Sequence, residues 1–346
     1  MRFTLIVLLL LLGPLSSASA QKPRVLVLGA DAEDNLADVA EKLAATQRFA
    51  VVEQFNAFTG TPSAEFLHRY HGVLIWSNYP LNDAYQYGNL LADYVDDGGG
   101  VVIAALATGQ ANGFTNTWLQ GRWLTSSYQV LIPDGDFLYG ATTLGTVLDP
   151  QHPVVQDVNH FHGGQASARS MNATLSPGSY RIANWSDGSV LIAENTEMRT
   201  PRIDLNFMPP SNDIYTEMWR ADTDGAILMA NALARVSGQG HALLSASSAT
   251  AGGYLQLELD YLLTQSRINV VLSISGNGPT QTAFGPCLVS TPWLLTPTFT
   301  HGDASVFDLS LTLPASLAGH TIYCQALERS AAGVSGWSTP LAVVIS

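Results

Sequence analysis

Positive charge is scarce in this sequence: 15 Lys and Arg stand against 28 Asp and Glu in 346 residues, a formal net charge of −13. Holding a phosphate backbone takes clustered cations, and no Lys/Arg cluster occurs, so nucleic acid is excluded as a partner. Cysteine is scarcer still, with only Cys287 and Cys324. No thiolate nucleophile can therefore come from anywhere before Cys287. H-E-x-x-H, G-x-x-x-x-G-K-[ST] and a G-x-G-x-x-G after the first apolar run are all missing. So is G-x-S-x-G, of which Gly333-Val334-Ser335-Gly336 falls short. Zinc-protease, P-loop, dinucleotide and serine-hydrolase chemistries each need those residues at those spacings, so none of them is expected, nor is any cofactor. After Leu5–Leu12 no apolar run is long enough to span a bilayer.

What is there begins with a leader. Arg2 supplies a positive start, Leu5 to Leu12 an apolar run, and Ser17-Ala18-Ser19-Ala20 small residues for cleavage. This three-part pattern predicts a signal peptide over residues 1–20 and export to the periplasm, cell surface or medium. The apolar stretch is short for a permanent anchor. In an oxidising compartment two cysteines in one small domain most simply pair, so a Cys287–Cys324 disulfide is expected. It would close a loop of about 38 residues and contribute about 4 kcal/mol in the chain-entropy model.

From Arg24 the chain alternates apolar runs with amphipathic stretches. Val25 to Leu28 reads as a strand buried on both faces, and Asp34 to Thr46 as a helix with Leu36, Val39, Ala40 and Leu43 on one side. Strands over Phe49–Phe55, Gly72–Trp76 and Val101–Leu106, with a helix over Asp83–Val95, complete a rhythm that predicts a parallel sheet. Ser179–Asn184 and Ser189–Glu194 flank a Ser186-Asp187-Gly188 turn, Pro201–Phe207 reads as another strand, and Asp222–Val236 as the closing helix. Residues 237–253, almost all Ser, Gly, Ala and Thr, read as a linker. Beyond them, 254–346 alternate in period two between Gly/Pro turns, as in a small β-sandwich.

Val25–Gly29, the segment Leu91-Ala92-Asp93-Tyr94-Val95-Asp96-Asp97-Gly98-Gly99-Gly100-Val101-Val102-Ile103 and the Asp149-Pro150-Gln151-His152-Pro153-Val154 stretch together resemble the class I glutamine amidotransferase-like fold. They are most similar to its trehalose-utilisation (ThuA-like) branch. The resemblance covers residues 24–236 and implies a flavodoxin-like, doubly wound, mostly parallel α/β sheet. In the amidotransferases the turn after the fourth strand presents a nucleophilic Cys. Here that elbow reads Ala104-Ala105-Leu106-Ala107-Thr108-Gly109, with neither Cys nor the His common in the ThuA-like branch. Residues 254–346 resemble the terminal β domains of secreted bacterial proteins, which implies attachment, sorting or carbohydrate contact.

In open α/β sheets ligands bind outside the carboxyl ends of the strands. The ligand-binding candidates there are Asp31, Ser77, Asn78, Tyr79, Thr108 and Gln110, with Trp76 adding aromatic surface and His152 joining from the Asp-x-x-His-Pro stretch. Neutral hydrogen-bonding groups beside aromatics suit a sugar better than a phosphate. His152, His160 and His162 lack a carboxylate or Cys at ligand spacing, so no metal is expected. Asp222-Thr223-Asp224-Gly225 lacks the later Glu of a calcium loop, and helix capping accounts for such residues more simply. The expectation is a secreted, non-catalytic protein that binds a carbohydrate, another small polar ligand or a cell-surface partner protein. The alternatives are a ThuA-like hydrolase or sugar-modifying enzyme using carboxylates or a metal, and a structural surface protein.

Overall fold

The computed structural model describes residues 22–110, 113, 115–165, 167–197, 200–237, 243–260, 266–300, 306–329, 335–338 and 340–346. The expected leader, 1–20, lies outside the described residues.

The first unit is built from β1 (Arg24–Ala30), α1 (Glu33–Ala45), β2 (Val51–Asn56), β3 (Gly72–Ser77), α2 (Ala84–Asp96) and β4 (Gly100–Ala104). It continues through β5 (Leu144–Val147), β6 (Ser179–Trp185), β7 (Val190–Asn195), β8 (Arg202–Leu205) and α3 (Gly225–Ser237). These strands form one sheet in the order β2-β1-β3-β4-β8-β7-β6-β5. β2, β1, β3, β4 and β8 run parallel, and β7, β6 and β5 extend the sheet antiparallel. The change of sense falls between β8 and β7. Within the antiparallel wing, Ser186-Asp187-Gly188 is a tight turn with Gly188 at φ +87°, and a connection this short joins β6 and β7 as antiparallel neighbours.

Period-two alternation sorts the side chains into two layers. Val25, Val27, Leu74, Trp76, Val102 and Ile203 pack with α1 and α3, while Leu26, Leu28, Val73, Ile75, Val101 and Ile103 pack with α2. Strands buried on both faces must be apolar at nearly every position, which is why they were legible as unbroken runs. The helices lie within a residue or two of their expected spans, except that the last begins at Gly225 rather than Asp222. One close approach fixes α2: a Cβ on Gly88 would collide with the carbonyl oxygen of Gln120.

The second unit holds β9 (Leu243–Ala249), β10 (Tyr254–Asp260), β11 (Arg267–Ser273), β12 (Asn277–Thr282), β13 (Gly285–Val289), β14 (Val306–Thr312), β15 (Thr321–Arg329), β16 (Ser335–Trp337) and β17 (Leu341–Val344). β9, β10 and β14 form one antiparallel sheet, and β11 and β15 centre another. Leu255, Leu257 and Leu259 of the first meet Ile268, Val270, Ile322 and Ala326 of the second in a shared core.

Two expectations are corrected here. Residues 243–249 are a strand inside the stretch read as linker. Leu244 and Ala249 turn into the core while the serines face outward, so cross-strand pairing with β10 overrides a composition typical of linkers. The expected Cys287–Cys324 disulfide is not formed. Cys324 faces the shared core with Ile322 and Ala326, whereas Cys287 packs with Val271, Val289 and Leu327. Successive residues of β15 point to opposite faces, and Cys287 lies on the face of Leu327, so the two sulfurs are on opposite sides of the sheet.

Candidate functional site

Asp31 follows β1 directly and is the hub of the sheet's carboxyl edge. Its Oδ1 accepts from the Ala32 amide at 2.9 Å, Asn35 Nδ2 at 2.8 Å and Asn78 Nδ2 at 3.2 Å, and its Oδ2 accepts from Trp76 Nε1 at 3.0 Å. Asn56 Nδ2 donates to the Asp31 carbonyl at 3.0 Å and to Glu33 Oε1 at 2.7 Å. A carboxylate at the start of α1 is favoured by the helix dipole and its unpaired amides. With only 1% of its surface exposed, Asp31 spends its acceptors on the protein itself. The structure thus brings Asp31 and Asn78 together as expected, with Ser77 beside them. It corrects Trp76, which is fully buried under Gly29 and offers no aromatic surface.

Ser77 is also buried, its Oγ donating to the Thr117 carbonyl. Thr108 is buried at the elbow, and Gln110 is exposed beyond it. The elbow residues Ala104, Ala105, Leu106 and Ala107 are all buried and apolar, tied down by Ala105 N–H to the Phe207 carbonyl and Leu106 N–H to the Ser77 carbonyl, both 3.2 Å. From above, Gln129 Nε2 donates to the Thr108 carbonyl at 3.4 Å.

The reachable part of this edge is aromatic. Phe58 and Tyr79, 47% and 40% exposed, meet edge to face with ring centroids 5.4 Å apart. Their backbone is knit into the Asp31 network: the Phe58 amide donates to Asn56 Oδ1 at 3.0 Å, and the Tyr79 amide to the Ala30 carbonyl at 2.8 Å. Asn82 joins the same loops, its amide on the Ala57 carbonyl at 2.8 Å and its Nδ2 on Thr61 Oγ1 at 3.2 Å. Tyr79 was legible as a candidate, whereas Phe58 and Asn82 were missed. An aromatic just past the second strand was the signal for Phe58.

His152 lies elsewhere, separated from the other candidates. It caps a short 3-10 turn, Nδ1 accepting from the Val154 amide at 3.3 Å, and its Nε2 meets Glu194 Oε2 at 3.0 Å. Nδ1 as acceptor makes Nε2 the proton-bearing atom, so His152 donates to Glu194. Glu194 has no exposed surface and also accepts from Tyr180 Oη and, at 2.7 Å, from Arg235 Nε. Burial would raise the Glu194 carboxyl, but the hydrogen bonds from Arg235, Tyr180 and His152 outweigh it and hold the group below its ordinary range. Tyr180 is pushed up to about 12 by partial burial and by its bond to that carboxylate. Glu194 and Asn195 end β7 opposite the first residues of β8, at the far end of the parallel strands from Asp31. The sequence signal for Glu194 was a lone charge closing the apolar run Leu191-Ile192-Ala193.

His160, His162, Asp222 and Asp224 take part in local bonds. His162 Nδ1 accepts from the Gly164 amide at 3.0 Å, Asp224 Oδ2 accepts from the Asn159 and His160 amides at 2.8 Å, and Asp222 pairs with Arg220.

No family model matches the chain, and no curated protein matches it. Among solved structures the chain is similar to a protein described as ThuA-like from Bacteroides uniformis, at 19% identity and TM-score 0.44, over 65% of this chain and 95% of that one. It is also similar to a glutamine amidotransferase from Thermotoga maritima, at 9% identity and TM-score 0.37, over 53% and 75% of the two chains. A third is the glutaminase domain of Trypanosoma brucei CTPS with bound acivicin, at 12% identity and TM-score 0.37, over 60% and 93%. Likenesses this distant carry no argument about activity, and the architecture above rests on the strand order.

Proposed function

We propose that this chain is an exported, non-catalytic binding protein on an amidotransferase-like scaffold, taking a saccharide or similar neutral polar ligand at the carboxyl ends of β1 and β3. The observation that carries the reading is the exposed Phe58–Tyr79 pair, set among the side chains of Asn78, Asn82 and Thr61. Sugars present C–H faces that pack on aromatic rings and hydroxyls that bond to amides, and an edge carrying Asp31 and Glu33 but no cation suits them better than an anion. The apolar, buried elbow supports a non-catalytic role, because acyl-transfer chemistry needs a nucleophile beside a base at that turn.

A second reading, an enzyme working through His152, draws on the 3.0 Å contact with Glu194. Glu194 is already saturated by three donors, which weighs towards a structural role for the cluster.

The deciding experiment is calorimetric titration of the mature chain with a panel of neutral mono- and oligosaccharides. The reading expects binding that is lost in Phe58→Ala/Tyr79→Ala and retained in His152→Gln. Flat titrations across the panel would overturn it and favour a protein partner. Turnover of any saccharide would establish the enzymatic reading instead.

A further inference from the structure

The exposed Phe58–Tyr79 pair sits on an edge whose hydrogen-bond donors are largely turned inward. Both hydrogens of Asn56 Nδ2 are engaged, by the Asp31 carbonyl at 3.0 Å and by Glu33 Oε1 at 2.7 Å, while its Oδ1 takes the Phe58 amide at 3.0 Å. The backbone amides of Asn78 and Tyr79 both donate to the Ala30 carbonyl, at 2.9 and 2.8 Å. Carboxylate and carbonyl oxygens only accept, so these contacts fix which way each side-chain amide faces. Asn78 gives an Nδ2 hydrogen to Asp31 and keeps Oδ1 as an acceptor with no partner among the described residues.

Charge on this edge has one sign. Residues 31–35, 56–61 and 77–85 include Asp31, Glu33, Asp34 and Asp83 but no Lys or Arg. Asp31 is buried, and Asp83 caps α2 by accepting from the Gln86 amide at 2.9 Å. Glu33 and Asp34 are exposed in the first turn of α1. Glu33 is the one drawn towards the rings, because Asn56 bonds its Oε1 on one side and the Phe58 amide on the other. That leaves Glu33 Oε2 open to a ligand.

We propose that this edge selects an amino sugar, a saccharide carrying a protonated amine, over neutral and acidic saccharides. The inference rests on the saccharide reading above and narrows its ligand class. The Phe58 and Tyr79 rings take the C–H face of the sugar and attract its ammonium group through their π-faces. Glu33 pairs with the same ammonium, which donates three hydrogens and accepts none, and Asn78 Oδ1 takes a hydroxyl hydrogen. An acidic saccharide would meet Glu33 and Asp34 with no cation to answer it. One exposed ion pair and one exposed cation–π contact together correspond to about three- to thirtyfold in affinity.

The test is calorimetric titration of the mature chain with glucosamine, N-acetylglucosamine and glucose oligomers of equal length. It is run at about pH 6, where an amine with a pKa of about 8 is protonated. Glucosamine oligomers are expected to bind about three- to thirtyfold more tightly than the other two, which keep the ring and lack the charge. The preference should fall about two- to fivefold in Glu33→Gln, whose amide oxygen still accepts from Asn56. It should persist in Glu41→Gln, an equal change of net charge further along α1. Equal affinity for glucosamine and glucose oligomers would overturn the inference and leave the saccharide reading standing. So would a preference that Glu33→Gln leaves unchanged, or one that Glu41→Gln lowers as much. No binding by any of the three would remove both.

Discussion

Arg235, in the last turn of α3, donates its Nε–H to the buried carboxylate of Glu194 at 2.7 Å, joining the helix to the antiparallel wing of the sheet. Through His152 the same carboxylate fixes the turn that follows β5, so three elements meet on one side chain.

Removing that carboxylate strands an imidazole and a guanidinium together. Glu194→Ala is expected to cost about 3 kcal/mol, the usual order for breaking a buried pair from one side, read from urea unfolding at neutral pH. The folded carboxyl is held low, so its contribution is present above the ordinary carboxylate range and is lost as pH falls through the folded value. Wild type should accordingly lose more stability than Glu194→Gln between pH 7 and acid. Parallel losses in the two proteins would show that the network is not stabilising.

The middle of α2 gives a prediction opposite in sign to helix propensity. Alanine in place of an interior helix glycine ordinarily gains up to about 1 kcal/mol. At Gly88 the new Cβ would meet the Gln120 carbonyl oxygen, so Gly88→Ala should lower the melting temperature. An unchanged or raised melting temperature would refute the close approach.

The two cysteines should not be joined to each other by a disulfide. Mass spectrometry after alkylation is expected to find both thiols reduced in freshly folded protein, and a reductant should leave the melting temperature unchanged. Burial pushes the Cys324 thiol up to about 12, so thiol reagents should modify it only after unfolding. A melting temperature that falls in reductant would restore the disulfide.

Asp31 and the aromatic pair should separate stability from binding. Asp31→Ala leaves the buried Trp76 N–H and two amide side chains without their acceptor, a loss of about 1–3 kcal/mol for the unpaired groups. Phe58→Ala/Tyr79→Ala removes exposed rings and should alter stability by about 0.5 kcal/mol or less for each ring. Equal destabilisation by the two variants would mean that the aromatic pair is structural.

Strands β1, β3 and β4 were legible because burial on both faces demands unbroken apolar runs, and the helices because one buried stripe imposes a 3.6-residue period, whereas the half-exposed β5 was not read. Residues 243–249 were not legible as a strand, since Ser and Ala carry little periodic signal and only the pairing with Tyr254–Asp260 makes the segment extended. Asp31, Ser77, Asn78, Tyr79, Thr108 and Gln110 could be assigned to one edge from the rule for strand ends. Their exposure could not. Asp31, Ser77 and Thr108 are buried in the fold, and Phe58, Tyr79 and Gln110 are left exposed.

By itself the sequence determined the order of the parallel strands and helices of the first unit, the change from helix-bearing to all-β chain, and the lack of cysteine before Cys287. These depend on residue type and on periods of two and 3.6 along the chain, which are local quantities. Only the tertiary structure decided that Cys287 and Cys324 face opposite sides of a sheet, that His152 stands far from Asp31, and that Asn56 draws Glu33 towards Phe58. Those relations join residues distant in sequence. They are set by strand order, by which face of a strand each side chain occupies, and by what buried polar groups can find to bond.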